Sequence, residues 1–183
     1  MDSIEWAKKN KKRLVQGVVG GVQPSTIDER PVAIFAAGIP GAGKPSFIIV
    51  DETVIYCRKN QLDFILDGTF GSDRAVENVR SALKRHDVTI FYVWKEPSLA
   101  WQHTVDRQLV TKRGIDKNGF IKACLNVPKN LRAVRNEFGS KILISAIKKE
   151  MKSDNFQMTR SSAEINKLLE INYTKKNLER TLL

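Results

Sequence analysis

The sequence predicts an α/β fold built on a mostly parallel sheet, and three observations predict it. Four short, nearly continuous apolar runs, residues 32–37, 62–66, 88–94 and 141–147, are bounded by turn or charged residues, the pattern of strands buried on both faces. Helix-compatible segments separate these runs, so strand and helix alternate along the chain. A glycine-rich loop, Gly-Ile-Pro-Gly-Ala-Gly-Lys at residues 38–44, follows the first run directly. A phosphate-binding loop occupies that position, between a buried strand and a helix.

Taken in order, Ser3 caps a first helix running to about Val15, basic on one face through Lys8, Lys9, Lys11, Lys12 and Arg13 and read as solvated surface. Residues 17–24 form a glycine-bearing linker, and residues 28–31 lead into the first strand. After the loop a helix spans residues 45–60. Phe47, Val50, Val54 and Cys57 recur there at helical spacing, which puts Asp51 and Glu52 on a helix surface and not at a strand tip. The second strand ends in Asp67, Gly68 and Thr69. Ser72 or Asp73 caps the next helix, which ends near Arg85, and Pro97 opens the helix that carries Trp101 to Arg113. Residues 114–119 read as a loop that can close over bound phosphates. Pro128 then ends one helix and starts another bearing Arg132 and Arg135, read as surface charges. Near the C-terminus, Ser161 with Glu164 forms a capping box, and Thr174 starts a last helix. Phe91, Tyr92, Trp94 and Trp101 fall on core positions.

Length and composition agree with a nucleotide-handling domain. A chain of 183 residues reads as one domain with enough apolar content for a sizeable core. Within it, residues 1–30 form an N-terminal helix and linker, 97–138 a lid-like helical segment and 160–183 the C-terminal helices. The net charge of +11 and pI near 9.8 favour polyanionic ligands or partners. Nucleic acid is disfavoured among these, because the aromatics fall on core strands and not among the basic clusters, where base stacking needs them. Cys57 and Cys124 lie in apolar helical patterns and read as buried free thiols of a reducing compartment. His86 and His103 lack ligand-like spacing and read as packing or surface residues. With no apolar segment of spanning length, the expected location is the cytoplasm and no membrane partner is expected.

The loop itself carries chemistry. Gly38, Gly41 and Gly43, with Ile39, Pro40 and Ala42 between them, allow the backbone to wrap an anion with successive N–H groups. Lys44 then reaches the β and γ phosphates, and Ser46 lies in the first turn of the following helix. The residue after the lysine departs from the pattern. Such loops continue with Ser or Thr, whose hydroxyl holds Mg²⁺; this chain has Pro45, with neither hydroxyl nor backbone N–H.

The loop at residues 38–44, the stretch Phe-Ile-Leu-Asp-Gly-Thr-Phe at 64–70, the strand Thr-Ile-Phe-Tyr-Val-Trp at 89–94 and the arginine-bearing helix through Arg107 to Arg113 together resemble the zeta toxin family. That resemblance covers nearly the whole chain. It implies a P-loop kinase-like three-layer sandwich, ATP with Mg²⁺ as cofactors, transfer of phosphate to a hydroxyl of UDP-N-acetylglucosamine, and an antitoxin partner. It also implies roles: Lys44 on the phosphates, Arg107 and Arg113 on the transferring phosphoryl group, and Asp67 and Thr69 on the sugar-nucleotide acceptor, at the strand end where open parallel sheets bind ligands. The family's acceptor-holding arginine, soon after the threonine, has no counterpart here, since Phe70, Gly71 and Ser72 follow and the first arginine is Arg74.

Between Lys44 and Asp67 the chain is shorter than the family pattern, which inserts a further strand bearing the catalytic aspartate. One helix must cross the gap, and the lost strand belongs at the sheet's edge, so the sheet is expected to have about four strands. Two readings therefore stand side by side: an ATP-dependent sugar-nucleotide kinase, and an inactive family member that binds nucleotide weakly or binds a protein partner.

Overall fold

A computed structural model of the protein describes residues 9, 11–19, 21, 30–39, 47–112, 114–149 and 156–182. Its elements run α1 (Lys11–Val19), β1 (Val32–Gly38), α2 (Phe47–Lys59), β2 (Phe64–Leu66), α3 (Ala75–Leu83), β3 (Asp87–Trp94), α4 (Pro97–Thr111), α5 (Lys117–Phe138), β4 (Ile142–Lys149), β5 (Phe156–Thr159), α6 (Ser162–Leu169) and α7 (Lys175–Thr181). The strands form one sheet in the order β2-β1-β3-β4-β5. The first four are parallel, and β5 runs antiparallel to β4.

The core sits on one face of this sheet. Register aligns Phe35 with Ile90 and Ile90 with Ile144, and these side chains pack with Val79 of α3, Leu131 and Val134 of α5, and Leu169 of α6. Burying each such side chain contributes roughly 1.5–3 kcal/mol, so this layer dominates the energetics. The expected burial of both faces holds fully for this one. On the other, Ile34 is half-buried and Val32, Ile65, Leu143 and Met158 are exposed.

All four expected strands are present, and β2 is shorter than residues 62–66, with Leu62 buried beside it. β2 pairs with β1 and ends the strand order, the neighbour relation expected when one helix joins them. A fifth strand, β5, was not expected from the sequence. It follows a charged stretch and lies at an edge, where pairing on one side suffices and no long apolar run is needed.

Several boundaries differ from expectation for physical reasons. The segment 17–24 is not all linker: α1 continues to Val19, because Val15 and Val19, one turn apart, are buried with Cys57 and Leu62. Neither Ser72 nor Asp73 caps α3. Arg74 takes the cap position, and the Ser72 hydroxyl accepts the Arg74 N–H at 3.2 Å in a local turn. The loop at 114–119 is shorter, since the Asp116 carboxylate accepts the Gly119 N–H at 2.9 Å and opens α5 at Lys117. Pro128 does not end a helix. It lies inside the continuous α5, where burial of Phe120, Ile121, Cys124, Val127, Leu131 and Val134 outweighs the ~3 kcal/mol that an interior proline costs. Pro97 in the first turn of α4, and the Ser161 and Thr174 caps, are as expected. The start at Ser3 lies outside the described residues.

His86 is a packing residue, fully buried, with Nε2 3.0 Å from the Leu62 carbonyl and its ring edge-on to Phe64. Arg132 and Arg135 tie α5 to α6: Arg132 donates to the Leu169 carbonyl and Arg135 to Asn166 Oδ1. Both cysteines are buried free thiols.

Candidate active site

β1 ends at Gly38 and α2 begins at Phe47, so the phosphate-loop sequence lies along the chain between a buried strand and a helix. Pro40, Gly41, Ala42, Gly43, Lys44, Pro45 and Ser46 lie outside the described residues, as does Arg113. At the loop's root, Gly38 is held tightly on both sides. Its N–H donates to the Thr69 carbonyl at 3.2 Å. A Cβ at this position would lie 3.0 Å from the Val93 carbonyl oxygen, so β1 and β3 approach there more closely than a side chain fits without displacement. Ile39 is half-buried and packs with the cluster of Phe120, Cys124 and Leu178 from α5 and α7.

Because β2 runs parallel to β1, the chain leaving β2 emerges beside the loop's root. Asp67 and Gly68 are exposed there, and Thr69 is half-buried. Thr69 is engaged through both of its oxygens. Its carbonyl accepts from Gly38, and its hydroxyl accepts the Gly71 N–H at 3.2 Å. As an acceptor in that bond, the hydroxyl keeps its proton to donate elsewhere. Phe70 turns the chain with φ of 59° and buries its ring edge-on to Phe35 at 6.1 Å.

Two residues that the sequence reading missed hold this turn. Asn130 Nδ2 donates to the Phe70 and Ser72 carbonyls, both at 2.9 Å, and Asn126 Nδ2 donates to the Gly71 carbonyl at 3.0 Å. One signal could have found them: two asparagines four residues apart, on the same face of a helix otherwise lined with apolar core residues.

Arg107 is carried on a separate element. It lies in the last turns of α4, roughly 16 Å along the axis from the cap at Glu96, and is half-buried. Helix α4 closes at Lys112, which has φ of 57°. The structure thus brings Gly38, Asp67 and Thr69 to adjacent strand ends, and carries Arg107 on the helix that leaves the same end of β3. Asp51 stands within α2 and not at a strand end.

At the C-terminal end of β3 an apolar crevice is lined by Ile39, Tyr92, Trp94, Cys124, Pro128 and Tyr173. Burial pushes the Tyr92 and Tyr173 hydroxyls upward and the Cys124 thiol up to about 12, so these three groups are neutral at physiological pH. Among the described residues no three of His, Cys, Asp and Glu cluster as a metal site, and no helix is long and apolar enough to cross a membrane.

Comparison with known proteins bears on the family and the fold. The family model described as Zeta toxin matches residues 45–157, a span of more than half the chain that takes in Asp67, Thr69, Arg107 and Arg113 and begins directly after Lys44. No curated protein matches the sequence. Among solved structures, one similar chain was described with the PezAT chromosomal toxin–antitoxin system of the human pathogen Streptococcus pneumoniae. Its TM-score is 0.60 at 13% identity, over 100% of this chain and 96% of that one, a likeness that speaks to the fold. On its fold and its match to the family model, the chain belongs to the zeta toxin family.

Proposed function

We propose that this protein is a phosphotransferase of zeta type, moving a phosphoryl group from ATP to a hydroxyl of a sugar nucleotide such as UDP-N-acetylglucosamine. The observation that carries the reading is the hydrogen bond from Gly38 N–H to the Thr69 carbonyl at 3.2 Å. It holds Gly38, the root of the phosphate loop, beside the Asp67–Gly68–Thr69 turn, which supports a reading in which a donor and an acceptor site adjoin at the ends of neighbouring parallel strands.

The residues fit a nucleotide. Gly38, at the loop's root, admits the close approach of β1 to β3, and the loop's glycines and Lys44 supply N–H groups and positive charge for the β and γ phosphates. On the acceptor side, exposed Asp67 accepts hydrogen bonds from sugar hydroxyls, and Thr69 retains a proton to donate. Arg107 and Arg113, on the segment from α4 into α5, supply fixed positive charge to the transferring group, and that segment serves as the lid. For Mg²⁺ the donor set fits poorly, since Pro45 offers no hydroxyl oxygen where such loops hold the ion. An antitoxin-like protein is the partner this reading implies, and the cytoplasm its location.

Pro45 also favours a second reading, a family member that binds nucleotide weakly or engages a protein partner without turnover. One experiment separates the two: incubation with ATP, Mg²⁺ and UDP-N-acetylglucosamine, with phosphorylated sugar nucleotide read by mass. Product that disappears in Lys44→Ala supports the kinase. ATP binding that is independent of Mg²⁺, with no product, supports the inactive form.

A further inference from the structure

The two asparagines of α5 do more than fill space in a helix. Asn130 is nearly buried, at 9% exposure, and has only two N–H groups to give; both go to backbone carbonyls of one turn, those of Phe70 and Ser72. Asn126, one helical turn earlier, gives to the carbonyl between them, Gly71. Three successive carbonyls of the segment following Asp67–Thr69 are therefore satisfied by one helix face. Gly71 itself sits against that face: a Cβ there would lie 3.5 Å from Ala123 Cα and 3.2 Å from the Thr69 hydroxyl.

This face matters because the turn has no regular pairing of its own and includes Phe70 in the left-handed region, a conformation that a non-glycine residue holds only when its surroundings impose it. The connection continues on the other side. The Thr69 hydroxyl accepts from Gly71 and its carbonyl accepts from Gly38, so successive residues joined by hydrogen bonds link α5 through the turn to the root of the phosphate loop.

We propose that Asn126 and Asn130 are positioning residues: they hold Asp67 and Thr69 at a fixed distance from Gly38, the root of the phosphate loop, and thereby set the protein's affinity for the sugar-nucleotide acceptor. The proposal rests on the reading of that turn as the acceptor site. The residues act through the turn and touch no substrate.

The test compares wild type with Asn126→Ala and Asn130→Ala. Two quantities are read: amide hydrogen exchange, and calorimetric affinity for UDP-N-acetylglucosamine and for ATP separately. Loss of a hydrogen bond that orders the turn is expected to weaken UDP-N-acetylglucosamine binding by about five- to tenfold and to leave ATP affinity within about twofold. Exchange at the Gly38 and Gly71 amides is expected to rise by about tenfold while the β3 amides of Ile90 and Tyr92 stay protected. A uniform rise across the sheet, or equal loss of affinity for both ligands, would overturn the proposal by reducing the asparagines to general stability. Should Asn130→Ala fail to fold, Asn126→Ala, at a half-buried site with a single bond, carries the test. A wild-type protein without affinity for the UDP-sugar would refute the acceptor reading, and with it any role in acceptor affinity; the exchange arm then decides the clamp alone.

Discussion

The Gly38 N–H donates to the Thr69 carbonyl at 3.2 Å, and this bond joins the last residue of β1 to the turn that leaves β2. The same residue is closely packed on its other side. A side chain at 38 would press its Cβ to 3.0 Å from the Val93 carbonyl oxygen, and that carbonyl belongs to the backbone of a central strand that cannot easily give way. Gly38→Ala is therefore expected to destabilise the protein by about 1–3 kcal/mol, the usual cost of overpacking. Gly68→Ala is the control: nothing lies within 4 Å of a Cβ there, and the expected change is within about 0.5 kcal/mol. Urea unfolding of the two variants beside wild type checks both. Equal midpoints for the two variants would mean that β1 and β3 do not approach as closely as described.

Alkaline stability follows from the buried thiols and phenols. Burial lifts the Cys124 thiol to about 12 and raises Cys57, Tyr92 and Tyr173 above their ordinary ranges. All four are neutral when protonated, and unfolding returns them to water. For Cys124, between its ordinary value near 9.0 and about 12, the unfolded chain holds fewer protons than the native one, so stability falls as pH rises through that window. Below about pH 9 the contribution is intact. The urea midpoint is expected to decline from pH 9 upward, with a shallower slope in Cys124→Ala. Comparing the two proteins isolates the thiol, because both shed the same lysine charge. Parallel slopes would show that the thiol ionises as readily in the native protein as in the unfolded one.

How much of this was legible in the sequence depended on the range of the interaction involved. Strands β1, β3 and β4 were readable because each is a continuous apolar run, and β5 was not, because Gln157 and Thr159 interrupt so short a run. The position of Asp67–Gly68–Thr69 just past a strand was readable from the apolar run before it. Its bond to Gly38 needed the further fact that β1 and β2 are parallel neighbours. Pro128 misled because local propensity argues for a break, whereas the apolar stripe from Phe120 to Val134 decides for continuity. The asparagine clamp was out of reach for a similar reason. Asn126 meets Gly71, and Asn130 meets Phe70, across more than fifty residues of chain, and no local pattern announces which carbonyls a helical asparagine will find. Phe70 in the left-handed region is the extreme case, since sequence rules expect glycine or asparagine there.

The sharpest departure of this chain from its family's loop is open to direct repair. Pro45 follows Lys44 and lacks both the N–H that such loops turn toward a phosphate and the hydroxyl that holds Mg²⁺. Pro45→Ser restores both groups, and Pro45→Ala restores only the N–H. A hydrogen bond to a charged group is worth roughly 1.5–3 kcal/mol, or about tenfold to over a hundredfold in affinity. Both variants are therefore expected to bind ATP more tightly than wild type without metal, by at least about tenfold. Only Pro45→Ser is expected to gain further on adding Mg²⁺, which separates the hydroxyl's contribution from that of the amide. Titration of ATP against the three proteins, with Mg²⁺ and with chelator, reads both effects. If Pro45→Ala bound no better than wild type, the amide after Lys44 would not contact the phosphates, and the proline would have to be explained by something other than what it withholds from the nucleotide.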